Sequence, residues 1–290
     1  MTILKPTKLI ITAVLFLIFS NSMFSQKLEP KKRITEPDHT ITSDITGKDY
    51  QLYLSFPKSY TTKDTISYPI LYVMDGQINF STIRGMRTLF DLGPLIEDVI
   101  IVGIGTSNWK VNRYQDFTPS VDTSEDEERK GTFKSGGAAK FLESIKTEIT
   151  PFLDKNYKTN ADRGITGHSL GGLFTAYCLV NSDGYFTRFG INSPSLWWDT
   201  EKVLNQAVAQ FTENKIWDLP QTKVFISVGD REGSSMVPTM MKFSKYLEDS
   251  NYENIDLKWK IFDEENHISV VPTSLNKTIY TLYGKQLEYK

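Results

Sequence analysis

Seven short runs rich in Val, Ile, Tyr and Phe punctuate this chain, and amphipathic or polar stretches separate them, a pattern open to few folds. The runs are Tyr50–Phe56, Pro69–Asp75, Val99–Gly105, Gly164–Ser169, Phe189–Ser193, Val224–Asp230 and Leu257–Asp263. Several are apolar throughout, as strands covered on both faces must be. Between Ala138 and Tyr157, the residues Phe141, Ile145, Ile149, Phe152 and Leu153 recur at helical spacing, with Pro151 expected to bend or end the first segment. Leu170–Val180, Met236–Leu247 and Thr273–Tyr289 read as further helices. Strand and helix in alternation predict an α/β fold: a mostly parallel central sheet with helices on both faces. No repeat and no Pro-rich or Ser/Gly-rich linker divides the chain, so 26–290 reads as a single domain.

The first 25 residues read differently. Lys5 and Lys8 precede an apolar stretch from Leu9 to Phe19, followed by Ser20, Asn21 and Ser22. Eleven residues are too few to cross a bilayer core, which takes roughly 20, so the segment is expected to be a secretory signal peptide. The expectation is an exported protein, periplasmic or secreted, with no stable membrane insertion once the leader is removed. Cys178 is the single cysteine, which excludes an intrachain disulfide and a Cys-based zinc site. The formal charge is -2, and the two lysines of the leader make the remainder more acidic still. Nucleic acid is therefore not the expected partner, because phosphate neutralisation needs clustered Lys and Arg.

The chemistry concentrates in Gly167-His168-Ser169-Leu170-Gly171-Gly172, a G-x-S-x-G sequence directly after an apolar strand and directly before a helical stretch. That context is what a nucleophile elbow requires. The serine occupies a strained strand-to-helix turn, and the flanking glycines remove Cβ atoms that would strike the neighbouring strand and helix. A serine hydroxyl is a weak nucleophile at neutral pH and needs an imidazole, which in turn needs an acid to orient it.

Three histidines are available. His168 adjoins the serine within the turn, so its side chain is expected to point elsewhere, and His39 precedes the first core strand. By elimination the base is His267, in the loop Glu264-Glu265-Asn266-His267 after the strand Leu257–Asp263. The acid should follow a strand between Ser169 and His267. Val224–Gly229 runs into Asp230-Arg231-Glu232-Gly233, where two carboxylates compete: Asp230 lies closer to the strand end, and Glu232 has the longer reach. Spacing leaves the choice open, and the loser is expected to face solvent paired with Arg231. Asp199 and Asp263 are weaker candidates.

Acyl transfer also needs donors for an oxyanion. The backbone N–H of Leu170, next after the serine, is one. The strand Pro69–Asp75 ends in Asp75-Gly76-Gln77, which makes the N–H of Gln77 or Gly76 the natural second. No H-E-x-x-H or phosphate-binding loop occurs, and Gly103-Ile104-Gly105 lacks the third glycine of a dinucleotide fingerprint, so neither metal nor cofactor is expected.

With these pieces in place the chain resembles the putative-esterase family of the α/β-hydrolases, which includes enterochelin esterase-like and ferri-bacillibactin esterase-like enzymes, feruloyl esterases, S-formylglutathione hydrolases and mycolyltransferase antigens. The similarity spans roughly Gln51 to Leu282. It rests on Tyr72-Val73-Met74-Asp75-Gly76, Arg113-Tyr114-Gln115-Asp116-Phe117-Thr118-Pro119, the elbow, Ser193-Pro194-Ser195-Leu196-Trp197-Trp198 and His267-Ile268-Ser269-Val270-Val271-Pro272. The last two look like the siderophore-esterase subgroup. There the stretch after the sixth core strand often reads Gly-x-x-Glu, which matches Gly229 to Glu232 and favours Glu232 as the acid. Some members of that subgroup work with a serine–histidine pair and little help from an acid.

The resemblance implies an α/β-hydrolase fold and places Arg113, Asp116, Trp197 and Trp198 around a substrate cleft. Arg113 offers a fork of donors for a carboxylate, phenolate or carbonyl, and the Trp pair offers flat faces for a ring. Arg–Asp pairs three apart also brace loops, and tryptophans after strands also fill cores. The polar stretch Ser120–Gly137 reads as a solvated loop or as a flap over the site. Its acidic residues Glu125–Glu128, if they faced the cleft, would disfavour an anionic ferric catecholate. The expected function is a serine carboxylic-ester hydrolase of a small-molecule ester, resembling enzymes that open catecholate trilactones. The alternatives are a feruloyl or acetyl carbohydrate esterase with the same site, and a non-catalytic binding module on a hydrolase scaffold.

Overall fold

The computed structural model describes residues 36–61, 65–93, 95–121, 134–214 and 216–285. The leader expected over 1–25, the acidic run Glu125–Glu128 and the end of the helix expected to reach Tyr289 lie outside the described residues.

Eight strands form one sheet: β1 His39–Ser43, β2 Lys48–Ser55, β3 Tyr68–Met74, β4 Ile100–Thr106, β5 Thr159–His168, β6 Arg188–Asn192, β7 Thr222–Gly229 and β8 Ile255–Phe262. Their order is β1-β2-β4-β3-β5-β6-β7-β8. β1 with β2 and β2 with β4 are antiparallel, and every other neighbouring pair is parallel. The fold is that of an α/β-hydrolase, mostly parallel as its apolar runs require. All seven residues of β4 are buried, whereas the edge strand β8 exposes Asp256, Lys258 and Lys260, charges that discourage pairing with another chain.

The helices are α1 Gly76–Leu92, α2 Trp109–Phe117, α3 Ala138–Ser144, α4 Thr150–Asn156, α5 Leu170–Asn181, α6 Trp198–Glu213, α7 Met236–Asp249 and α8 Val270–Tyr283. Alternate strand residues feed two cores. Tyr72, Val102 and Ile226 pack with Phe141, Phe174, Val203 and Phe243 of α3, α5, α6 and α7. Val73, Ile101 and Phe225 pack with Ile83 and Phe90 of α1 and Leu275 and Ile279 of α8. Helices thus cover both faces, as two-sided burial of the strands demands.

Several elements depart from the sequence reading. β1 forms where only a preceding segment is expected, because His39–Ser43 gains a full antiparallel register on β2. Helices α1, α2 and α6 also escape the periodicity. α1 carries Gly85, Thr82, Thr88 and several β-branched residues, a poor helix former held by burying Phe80, Ile83 and Phe90. In α6 the residues Asp199, Thr200 and Glu201 take left-handed angles that interrupt the first turns. Pro151 does not end the helical segment it sits in. A π-helical turn, Ile145–Ile149, joins α3 to α4 and opens the backbone just ahead of the ring, with the Thr150 N–H donating to Ile145 O. Helix α8 starts at Val270 rather than Thr273 and stops at Tyr283, before Gly284.

Candidate active site

Five adjacent parallel strands, β3, β5, β6, β7 and β8, run in the same direction and end on one edge of the sheet. The residues that follow them are Asp75-Gly76-Gln77, Ser169, Ser193, Glu232 and His267. Chemistry-bearing side chains far apart in sequence therefore share the edge where open α/β sheets bind ligands. His39 lies in β1 at the opposite margin of the sheet from β8, its Nε2 2.5 Å from the Tyr157 hydroxyl.

Ser169 is caught between β5 and α5 with φ 62° and ψ −122°, a strained conformation for a residue with a side chain. Its neighbours over-determine it. The Ser169 N–H donates to Asn192 O at 3.1 Å, and its carbonyl accepts from Leu173 N–H at 2.9 Å and Ser195 N–H at 3.1 Å. A Cβ on Gly167 would lie 2.3 Å from the Gly171 carbonyl oxygen, so the turn closes only with glycine there.

His267 Nδ1–H donates to Glu232 Oε2 at 2.6 Å. The other carboxylate oxygen, Oε1, accepts from the Ser193 hydroxyl at 2.5 Å and from the Gly229 N–H at 2.7 Å. The Glu232 side chain is fully shielded from solvent. Burial by itself would raise this carboxyl, but the hydrogen bonds from His267, Ser193 and Gly229 outweigh it and hold Glu232 below the usual carboxylate range. An ionised acceptor on Nδ1 fixes the tautomer and leaves Nε2 as the basic nitrogen. The ring of His267 packs at a tilt against that of His168, with centroids 4.5 Å apart, which brings it to the residue preceding Ser169.

Asp230 is exposed, and Arg231 pairs across the surface with Glu264 at 3.3 Å rather than with Asp230. The His267 loop is tied down on both sides. Asn266 Oδ1 accepts the N–H groups of Ile268 and Ser269, and Arg231 N–H donates to Glu265 O at 3.0 Å.

Two helix starts converge on the elbow. Leu170 opens α5 and Gly76 opens α1, and first-turn N–H groups have no acceptor inside their own helix. In α1 the ladder begins with Ile78 and Asn79, which both donate to Asp75 O, so Gly76 and Gln77 stand outside it. A Cβ on Gly171 would lie 3.2 Å from Met74 Cβ and 3.5 Å from Asp75 Oδ2, a measure of how closely the two turns approach. Asp75 itself is left-handed, with φ 54°. Its carboxylate accepts from Trp109 Nε1–H at 2.6 Å and from Arg113 Nε and Nη2, each at 3.1 Å. Arg113 is thus doubly engaged on the Asp75 turn, its guanidinium flanked by the rings of Trp109 and Phe117.

The remaining expected residues surround this centre at varying depth. Asp116 is buried, takes hydrogen bonds from Lys48 and the Tyr50 hydroxyl, and is pushed up by burial against the pull of Lys48. A cleft beside the Asp75 turn is lined by Gln77, Thr106, Trp109, Arg113, Asp116 and Phe117. Both polar atoms of the Gln77 amide are buried there without a hydrogen-bond partner. Trp197 is half-buried and donates from Nε1 to Met236 Sδ at 3.2 Å, whereas Trp198 is part of the larger core and donates to Ser120 O at 3.4 Å. Among the described residues no His, Cys, Asp and Glu group of three or more could hold a metal ion, and no helix is long and apolar enough to cross a membrane.

Three participants escaped the sequence reading: Ser193, whose hydroxyl holds the second oxygen of Glu232, the Trp109–Asp75 contact, and the packing of His168 on His267. Ser193 carried a signal. It ends the apolar run Phe189–Ser193 at the same sheet edge as the other members.

The chain is similar to known esterases in sequence and fold. Residues 43–270 match the family described as Putative esterase. A ferri-bacillibactin esterase from Bacillus subtilis is 26% identical over 252 residues, which are 82% of this chain and 86% of that protein. A siderophore enterobactin esterase from Emericella nidulans is 27% identical over 206 residues, 65% of this chain and 68% of its own. Among solved structures, the BES protein from Bacillus cereus has a TM-score of 0.77 and 31% identity, over 89% of this chain and 100% of that one.

Proposed function

We propose that this chain, which belongs to that esterase family and is an ester hydrolase, works through an acyl-enzyme on Ser169 with His267 as general base and Glu232 as the orienting acid. The observation that carries the reading is the buried, ionised Glu232 on Nδ1 of His267, at the sheet edge where the strained Ser169 turn also lies. Nε2 of His267 takes the Ser169 proton as the hydroxyl attacks an ester carbonyl. The N–H groups of Leu170 and of Gln77 or Gly76 hold the oxyanion, in a position favoured by the positive ends of α5 and α1. His267 then gives its proton to the leaving alcohol, and water, activated by the same nitrogen, releases the acyl group and restores the serine. In the first half His267 carries the Ser169 proton to the leaving alcohol, and in the second it carries a proton from the attacking water back to Ser169 Oγ as the acyl bond breaks.

The relatives from Bacillus subtilis and Emericella nidulans are a ferri-bacillibactin esterase and a siderophore enterobactin esterase, which supports a catecholate trilactone or a related siderophore ester as the substrate class. Arg113 and Trp197, beside the Asp75 turn and at the head of α6, are the proposed substrate-facing groups. Asp116 is buried yet lines the cleft beside Arg113, and Trp198 is buried in the larger core. The leader read over 1–25 places the reaction outside the cytoplasm, on a single domain spanning 26–290. The test is hydrolysis by purified protein of a catecholate trilactone, a feruloylated sugar, an acetylated sugar and a simple thioester side by side, with Ser169→Ala as control. Preferential release of catecholate monomers, absent in the variant, is the expected result. Preference for the feruloylated sugar moves the substrate class, and equal inertness of both proteins on every ester overturns the reading.

A further inference from the structure

His168 takes no part in the chemistry described above, yet its ring packs against that of His267. It ends β5, is 8% exposed, and its two ring nitrogens are buried without a hydrogen bond. A buried imidazole in that condition is costly, and a small apolar side chain would fill the position without the penalty. The ring packs against the tilted ring of His267, with centroids 4.5 Å apart and planes inclined by 39°, and it also faces the His267 backbone.

His267 needs such a contact. Its loop is half-exposed, and its one side-chain hydrogen bond, Nδ1 to Glu232, restrains a single corner of the ring. A ring held at one corner can still swing about that bond and carry Nε2 away from the elbow. A flat surface against its face removes that freedom. His168 is suited to the task because strand β5 and the closed turn after it fix its own backbone, which immediately precedes the nucleophile.

We propose that His168 is a positioning residue whose ring face holds the imidazole of His267 in line with Ser169. The inference rests on the reading of His267 as the general base and adds the surface that aims it. The groups facing His168 are His267, Glu232 and Arg113. Burial first, and the neighbouring His267 second, push its basicity down to about 3, so the surface stays uncharged when His267 takes up its proton. A neutral aromatic face next to an imidazolium is attractive, whereas a second cation there would be repelled.

The experiment compares His168→Ala, His168→Phe and His267→Ala with the unaltered protein, using p-nitrophenyl acetate and thermal melting to establish that each is folded. Loss of the ring face is expected to lower kcat about 10- to 100-fold, the scale of a misplaced catalytic group. KM should stay within about 2-fold, because no substrate contact is removed. Phe keeps a flat face and gives up only the polar contact of the ring nitrogens with the His267 backbone, so it should recover most of the lost kcat. A folded His168→Ala protein with full kcat overturns the proposal, and so does a Phe variant as slow as the Ala one. If the Ala variant does not fold, His168→Gln, polar but without a ring face, replaces it: Phe faster than Gln supports the proposal, and Gln equal or faster overturns it. Turnover surviving in His267→Ala would instead sink the assignment of the base, independently of the outcome at 168.

Discussion

A carboxylate with three hydrogen-bond donors in a dry site is a fixed negative charge, and Glu232 has His267, Ser193 and the Gly229 N–H. Glu232→Gln keeps the shape and removes that charge, so kcat should fall by about 10²- to 10⁴-fold with KM little changed, as steady-state kinetics will register. Ser193→Ala frees one oxygen and should cost less, about 3- to 10-fold, a single hydrogen bond's worth. Glu232 and His168 both make stability fall as pH falls. Glu232 is held below its ordinary value, so the stability it contributes is complete above the unfolded carboxylate range and is lost as pH falls through its lower folded value. His168, held down to about 3, binds its proton more readily unfolded, so between roughly 6.5 and 3 stability drops by about 1.4 kcal/mol per pH unit as pH falls. Urea midpoints across this range should therefore flatten in His168→Phe relative to the unaltered protein, and parallel curves would contradict the buried neutral imidazole. Asp230 against Glu232 was a choice that spacing left open, because both follow the same strand; burial and a turn back toward β6 separate them, and neither is visible in a run of four residues.

Elements decide which backbone groups reach the site. The elbow was legible from its glycines, because a Cβ at 167 would lie 2.3 Å from the Gly171 carbonyl oxygen, and no other residue type closes that turn. Gly167→Ala should accordingly destabilise by about 3 kcal/mol or more, or prevent folding, as thermal melting will show. The Asp75 turn was legible as a donor site but not as a braced one, since Trp109 and Arg113 lie on α2, a polar helix with too little apolar periodicity to stand out. Removing the carboxylate by Asp75→Ala leaves a partly buried guanidinium and an indole N–H without their acceptor. That change should cost about 3 kcal/mol of stability in urea unfolding and lower kcat as the Gly76 and Gln77 N–H groups drift. Helices α1 and α6 were hidden for a related reason. Tertiary burial of a few residues such as Phe80, Phe90, Val203 and Phe211 holds segments whose intrinsic preference is weak.

At the scale of the molecule, the parallel sheet explains how a serine, a glutamate and a histidine spread over nearly a hundred residues come to one sheet edge: they follow β5, β7 and β8, neighbours or next-neighbours in a sheet whose parallel strands end on one side. The order of strands is a long-range fact, and the apolar runs announced the strands without their neighbours. Of the other histidines, His39 lies on β1, at the opposite margin from β8, whereas His168, expected to point elsewhere, packs its ring on that of His267 because it ends the strand just before the turn. Ester hydrolysis as proposed requires Ser169 to be a nucleophile made reactive by His267. Intact-mass spectrometry after exposure to an organophosphorus fluoride measures this directly. A single adduct mapping to Ser169, absent in Ser169→Ala and slowed at least about 100-fold in His267→Ala, is the predicted result. An adduct that forms at the same rate without His267, or a protein that hydrolyses esters while Ser169 stays unlabelled, contradicts it.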